Sequence, residues 1–306
     1  MKKIKMIAPA KLNLCLEVVK RYDSGFHEIN SIMVKSSKLY DDIVIEFDEN
    51  SNDIVIECDN PDVPTDEQNI CWKIADKYFE KIGQSVGVKI VITKRIPMLA
   101  GLGGGSSDGA SVLLALDEYF GDVQDSGLDL RVPEGPTLGL LNKDELIEIA
   151  SSVGKDIPFF LQDASSAYVS GAGERVESIF DFPQLSILVV NPKVEISTPW
   201  AYGQLDEREW FMNNNNRKKL AQAMRKNHHI LDDVAQYVYN DFEFIAQEKC
   251  PVVGEIKNAM KTYGARATTI SGKGPTVFGI FESTDDLEKT KKILQKQYSS
   301  FFVGLF

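Results

Sequence analysis

What is scarce in this chain narrows its function before any motif is read. Three histidines and four cysteines are spread over 306 residues. They form no C-x-x-C pair and no Cys/His cluster at metal-ligand spacing, which excludes a dithiol or zinc-finger motif. Cys15 and Cys71 sit in apolar-patterned segments and read as buried, reduced thiols. No apolar run approaches 18 residues, so no membrane span is expected. The basic start of the chain lacks the apolar stretch of a signal peptide. Positive charge is also short: 34 Lys plus Arg against 45 Asp plus Glu leave a formal net charge of −11. That excludes a sequence-independent nucleic-acid binder, which must neutralise phosphates. An acidic chain that takes a phosphorylated metabolite has to do so through a local device. A cytoplasmic protein in a reducing compartment is expected.

What is present is ordinary for a globular protein, with 43% hydrophobic and 26% charged residues. At this length two packed domains are expected. A composition shift after Leu161 puts the boundary near residue 165, giving domains 1–165 and 166–306. Leu12, Leu14, Leu16 and Val18 alternate with Asn13, Cys15, Glu17 and Val19, the period of a half-buried strand. The runs DIVIEFD (42–48) and DIVIEC (53–58), joined by a polar turn at 49–52, read as a hairpin. Ile70, Ile74, Tyr78, Phe79 and Ile82 have helical spacing, with Gly83 as the stop. A strand follows at 88–93.

After it come Pro97-Met98-Leu99-Ala100-Gly101-Leu102-Gly103-Gly104-Gly105-Ser106-Ser107 and a helix carrying Val112, Leu113, Leu116 and Tyr119. From 121 to 141 the pattern is lost, as in an insertion or flap; Asn142 then caps a helix through Val153. The C-terminal part alternates strands (185–191, 265–270, 276–281, 301–305) with helices (251–263, 285–298). The asparagine run 213–216 reads as a helix–helix turn, and His228 and His229 as surface residues.

Chemistry concentrates in four places. Consecutive glycines followed by two hydroxyls and a helix start make an anion cradle, because glycine lets the main chain approach closely and helix N-termini present free N–H groups. The Lys of a Walker loop is missing, and Ser106 stands where a dinucleotide fingerprint needs glycine. Lys11, in Pro9-Ala10-Lys11-Leu12-Asn13-Leu14, is either a solvated strand-edge lysine or a cation aimed at a ligand. Asp156, before Ile157-Pro158-Phe159-Phe160, is either a helix N-cap or a catalytic carboxylate. Ser271-Gly272-Lys273-Gly274-Pro275-Thr276 is a second glycine-rich loop that, taken singly, is a tight turn.

Together, the Pro-Ala-Lys-Leu-Asn-Leu start, the Gly-Leu-Gly-Gly-Gly-Ser-Ser loop and the Ser-Gly-x-Gly-Pro-Thr loop resemble the three motifs of the GHMP small-molecule kinases. Gly25-Phe26-His27-Glu28-Ile29, Pro64 to Asn69 and Asp156 to Phe160 resemble the members of that family that phosphorylate a cytidine diphosphate-linked alcohol on the non-mevalonate route to isoprenoid precursors.

The resemblance implies an α+β fold, with a ribosomal-protein-S5-like N-terminal domain, a ferredoxin-like C-terminal domain and the active site in the cleft between. It implies γ-phosphoryl transfer from ATP, with Mg²⁺, to an alcohol. By resemblance Pro97 to Ser107 hold the ATP phosphates, and Ser106 or Ser107 lies near the metal. Asn69 and Lys94 lie near the nucleoside, Asp156 is the general base and Lys11 its cationic neighbour. Asn13 would bind substrate near Lys11, with Phe26 and His27 reading the cytosine; Thr198 and Tyr202 would close that pocket. His27 taken alone is a satisfied strand histidine. Lys273 departs from the small hydroxyl typical of the late loop, Phe26 stands where Tyr is common, and segment 121–141 is longer than expected. Monomer or homodimer remains open. Rival readings are a kinase of mevalonate, homoserine or a sugar, or a catalytically inactive nucleotide-binding regulator.

Overall fold

The computed structural model describes residues 2–125, 139–179, 185–211, 216–225 and 230–306. His228, His229, most of the asparagine run and residues 126–138 of the expected insertion lie outside them. The N-terminal part runs β1 (Lys3–Arg21), β2 (His27–Asp48), β3 (Ile54–Cys58), α1 (Ile70–Ile82), β4 (Gly87–Thr93), α2 (Gly104–Asp125), α3 (Lys143–Val153) and α4 (Ile157–Phe160). Next are β5 (Ser166–Ser170), β6 (Arg175–Ser178), β7 (Ser186–Asn191), α5 (Thr198–Glu207), α6 (Asn216–Arg225) and α7 (Ile230–Ala235). The chain ends with β8 (Tyr239–Asn240), α8 (Glu243–Lys249), α9 (Val252–Thr262), β9 (Ala265–Ile270), β10 (Val277–Phe281), α10 (Thr284–Gln297) and β11 (Phe302–Leu305).

No single cut divides these elements into compact units. One unit gathers Met1–Pro9, Tyr40–Arg95 and Gly104–Asp163, the other Ala10–Leu39, Ile96–Gly103 and Ala164–Phe306. The long strands β1 and β2 pass through both, which is why a boundary read along the sequence differs from one read in space.

In the first unit β4 pairs antiparallel with the end of β2 (Asp42↔Thr93 to Asp48↔Gly87) and parallel with β3 (Ile54↔Val88 to Cys58↔Ile92). The hairpin expected from β2 and β3 is therefore not formed. A parallel neighbour needs a crossover, and α1 supplies it. β4 is also the more apolar run, with Val88, Ile90 and Ile92 at most 2% exposed, and takes the central place. Its start docks on the turn: Gly87 N–H donates to Ser51 O (2.6 Å) and Val88 N–H to Asp53 O (2.8 Å). A Cβ on Gly87 would lie 2.7 Å from Ser51 Cβ, so a larger residue would push the turn away. α1 stops at Gly83, left-handed at φ 68°, and buries Ile74, Ala75 and Tyr78. α3 opens with a capping box between Asn142 and Glu145.

In the second unit Ser31 to Val34 of β2 pair with β5, and β5 with β6. Cys15 and Leu16 of β1 pair parallel with β8. A separate antiparallel sheet in the order β11-β7-β10-β9 carries α9 and α10 against it, as a ferredoxin-like half requires. Leu12, Leu14, Ile32, Ile187, Phe278 and Ile280 share one core. β1 is not half-buried as its alternation suggested: Ala10 to Val18 are buried on both faces, Asn13 and Glu17 included. Polar partners from distant parts of the chain meet this strand. Asp241, for example, accepts from Val18 N–H (2.6 Å), Tyr239 Oη (2.7 Å) and Trp210 Nε1 (3.1 Å), while burial raises its pKa.

Candidate active site

Three of the sequence motifs converge within the second unit. Lys11 and Asn13 are two apart on β1 and so share one face. Lys11 is 3% exposed, which overturns the solvated-edge alternative. Its Nζ donates to Asn13 Oδ1 at 2.6 Å, and Asn13 Nδ2 donates to Ser31 Oγ at 2.9 Å. The same Oδ1 accepts from Gly272 N–H at 3.0 Å, tying the late glycine loop to the N-terminal motif. Ser271 Oγ donates to Gly101 O (2.8 Å), and Lys11 N–H donates to Leu102 O (2.8 Å), bringing in the central loop.

Glycine is required at this junction. Gly101 has φ 73°, and a Cβ there would sit 2.2 Å from Ser271 O; at Gly272, φ 56°, it would lie 3.5 Å from Lys11 Nζ. Asn240 secures the late loop by donating to Ile270 O (2.9 Å) and Gly272 O (2.8 Å). Sequence reading missed Ser31 and Asn240, because a lone polar residue in a strand carries no pattern.

Along the central loop, Ala100 and Leu102 turn their side chains into the core, while Met98 and Leu99 are 37% and 56% exposed. Gly101 and Gly103 are left-handed, as is Leu99 at φ 52°. Pro97 and Gly101 are partly buried. Residues 97–103 carry no polar side chain, so the only polar groups this stretch can offer a ligand are those of its main chain. In the first unit Gly104, Gly105, Ser106 and Ser107 form the first turn of α2. Ser107 is fully buried, and its Oγ has no hydrogen-bond partner among the described residues. An orphaned hydroxyl at a helix start suits the oxygen-preferring Mg²⁺ that travels with a nucleotide's phosphates.

Two residues expected at the nucleoside are occupied otherwise. Asn69 caps α1: its Oδ1 accepts from Cys71 N–H (2.8 Å) and its Nδ2 donates to Pro64 O (2.6 Å). Lys94 Nζ is buried between Asp41 Oδ2 (2.5 Å) and Asp108 Oδ2 (2.7 Å). Both side chains thus have partners within the first unit, Asn69 at the start of α1 and Lys94 between two buried carboxylates. Asp156 is partly buried and precedes α4, whose four residues are all buried; its side chain makes no capping bond. The N-cap alternative for Asp156 therefore falls away.

The expected base-reading residues gather in the second unit. Phe26 is 55% exposed and His27 7%. Asp206 Oδ1 lies 2.6 Å from His27 Nε2, and because a carboxylate only accepts, that nitrogen carries the proton. Tyr202 stacks on the imidazole, with centroids 4.5 Å apart, so its ring covers His27 rather than standing opposite a vacant slot. Thr198 is exposed at the start of α5, where its Oγ1 accepts from Lys273 Nζ at 2.6 Å.

No described helix is long and apolar enough to cross a membrane. No group of three His, Cys, Asp or Glu suited to a metal occurs among the described residues.

Fold and motifs together define a GHMP kinase: residues 69–164 match the family model for the GHMP kinases N-terminal domain, and 209–300 that for the GHMP kinases C-terminal region. The curated relatives narrow this. A 4-diphosphocytidyl-2-C-methyl-D-erythritol kinase from Syntrophotalea carbinolica is 36% identical, covering 91% of this chain and 90% of the relative. The same kinase from Geobacter metallireducens is 34% identical, covering 100% and 99%. The chain belongs to the 4-diphosphocytidyl-2-C-methyl-D-erythritol kinase family. A crystal structure of 4-(cytidine 5'-diphospho)-2C-methyl-D-erythritol kinase superposes with a TM-score of 0.72 at 27% identity, over 99% of this chain and 98% of the other. A homoserine kinase from Cytophaga hutchinsonii reaches a TM-score of 0.73 at 18% identity, covering 100% and 94%; that likeness carries the fold alone.

Proposed function

We propose that this protein transfers the γ-phosphoryl group of ATP to the 2-hydroxyl of 4-diphosphocytidyl-2-C-methyl-D-erythritol. The observation that carries the reading is the junction at Lys11, where a buried ammonium, Asn13 and two glycine-rich loops are joined by hydrogen bonds. Phosphoryl transfer asks a protein chiefly for positioning and charge stabilisation. Lys11 stabilises the negative charge that develops on the attacking alcohol, and Asp156 accepts its proton. Asn13 fixes the Lys11 ammonium and orients the acceptor. Main-chain N–H groups of Pro97 to Ser107 hold the ATP phosphates.

Ser107 and Ser106 would hold the Mg²⁺ that accompanies ATP, and the ion would supply neutralisation of phosphate charge. Phe26 stacks on the cytosine, and His27, oriented by Asp206, reads its edge. We place the reaction in the cytoplasm, in keeping with four free cysteines, and assign a monomer or homodimer.

The test is an ADP-release assay with 4-diphosphocytidyl-2-C-methyl-D-erythritol beside mevalonate, homoserine and a sugar. Turnover with the cytidine compound alone is expected. Comparable turnover with another alcohol would displace the assignment.

A further inference from the structure

We infer that Lys273 is a second phosphate-binding cation of this site, which together with Thr198 holds the diphosphate of the acceptor substrate. The inference rests on the function proposed above and adds to it a residue in which this chain departs from the shared loop.

The main chain around Lys273 is fixed. Gly272 N–H is held by Asn13 Oδ1 at 3.0 Å, and Gly274 N–H donates to Ser271 O at 2.9 Å. With left-handed glycines on both sides (φ 56° and 84°), Lys273 stands at the tip of a sharp turn. Its Nζ donates to Thr198 Oγ1 at 2.6 Å, and it has no carboxylate within ion-pair distance among the described residues. Partial burial holds its ammonium below the usual lysine range; the charge of Lys11 pushes the same way, and Glu195 offsets only part of this.

Two ammonium groups that oppose one another, in a protein of net charge −11, are an arrangement that an anion relieves. The Thr198 hydroxyl, having accepted from Lys273, keeps its own proton to donate. A cation and an O–H donor side by side are complementary to phosphate oxygens.

Position selects which phosphate. Thr198 opens α5, and Tyr202 lies one turn on, about 6 Å along the axis, with its ring against His27. Thr198, with Lys273 bonded to it, therefore lies one turn of α5 from Tyr202, whose ring covers the His27 assigned to the cytosine. The ATP phosphates are assigned to Pro97–Ser107 instead.

The test is steady-state kinetics of the full chain carrying Lys273→Ala or Lys273→Arg, with acceptor and ATP varied in turn. Lys273→Ala is expected to raise the acceptor KM about tenfold or more, the scale of a charge-assisted hydrogen bond. The ATP KM and kcat should stay within about twofold, and Lys273→Arg should restore most of the loss. An unchanged acceptor KM, or a rise in the ATP KM instead, overturns the inference.

Calorimetric titration with inorganic pyrophosphate, CDP and cytidine separates this proposal from the functional reading. Lys273→Ala should weaken pyrophosphate and CDP but leave cytidine unchanged. Equal pyrophosphate affinity in both proteins refutes the role of Lys273. Should the parent chain fail to bind cytidine while Lys273→Ala still loses pyrophosphate, the cytidine assignment falls and Lys273 stands as a diphosphate ligand.

Discussion

Lys94 and Lys273 each adjoin a glycine-rich turn, one in each compact unit, and their surroundings are opposite. Burial by itself would lower the pKa of Lys94, but the charges of Asp108 and Asp41 outweigh it and hold the ammonium above its usual value. Lys273 has burial and a neighbouring ammonium acting in the same direction, with a hydroxyl as its hydrogen-bond partner. The first cation is neutralised within the fold and ties β2, the segment after β4 and α2 together. The second retains capacity for a ligand. Lysine next to a glycine loop is thus no functional signal until its partners are known.

The largest test of this contrast is Lys94→Ala, which leaves Asp41 and Asp108 buried without their cation. Breaking a buried pair this way costs about 3–5 kcal/mol, to be read from urea unfolding; a loss near zero would remove the structural assignment. Next in size, Lys11→Ala and Asp156→Asn should each lower kcat by at least ~10² while ATP still binds. Near-normal turnover in Asp156→Asn would defeat its role as base.

Third is the roughly tenfold KM effect at Lys273 described above, with no loss of stability to match Lys94. The last test is a pH slope. Burial pushes Asp108 up to about 7 and Asp41 adds to that push, against the pull of Lys94. In the unfolded chain the same carboxyl ionises near its ordinary value of ~4. The stability it contributes is therefore fully present below about pH 4 and is lost as pH rises to about 7. The unfolding free energy of the parent chain, measured relative to Asp108→Asn, should fall between those limits. A difference independent of pH would show that Asp108 ionises normally.

How far the sequence was legible follows the range of the forces involved. Gly83 ends α1 with its N–H on Phe79 O (3.0 Å), and Asn142 Oδ1 accepts from Asp144 and Glu145 N–H (3.0 and 3.1 Å). Both features involve groups within four residues of one another, so composition announces them. The β2–β3 hairpin failed for the complementary reason: a polar turn says that the chain reverses, not whether a strand from beyond the next helix will enter between. Asn69 resembled a ligand residue, and the structure adds a part that the resemblance did not show, its amide capping α1 and bonding Pro64 O. Lys11 could be read as solvated or buried until Ser271 and Gly272, some 260 positions on, closed over Asn13.

The order of the motifs and the bounds of α1, α3, α9 and α10 were legible in the sequence alone, because caps, glycine turns and apolar periods act over a few residues, and the kinase class followed from the resemblance of the motifs. Tertiary structure alone decided which lysines keep their charge for a ligand and which spend it on the fold. The partners that settle that question, such as Asp41 for Lys94 and Thr198 for Lys273, stand 53 and 75 positions away. Electrostatic environment depends on distance in space, which one strand order or another sets.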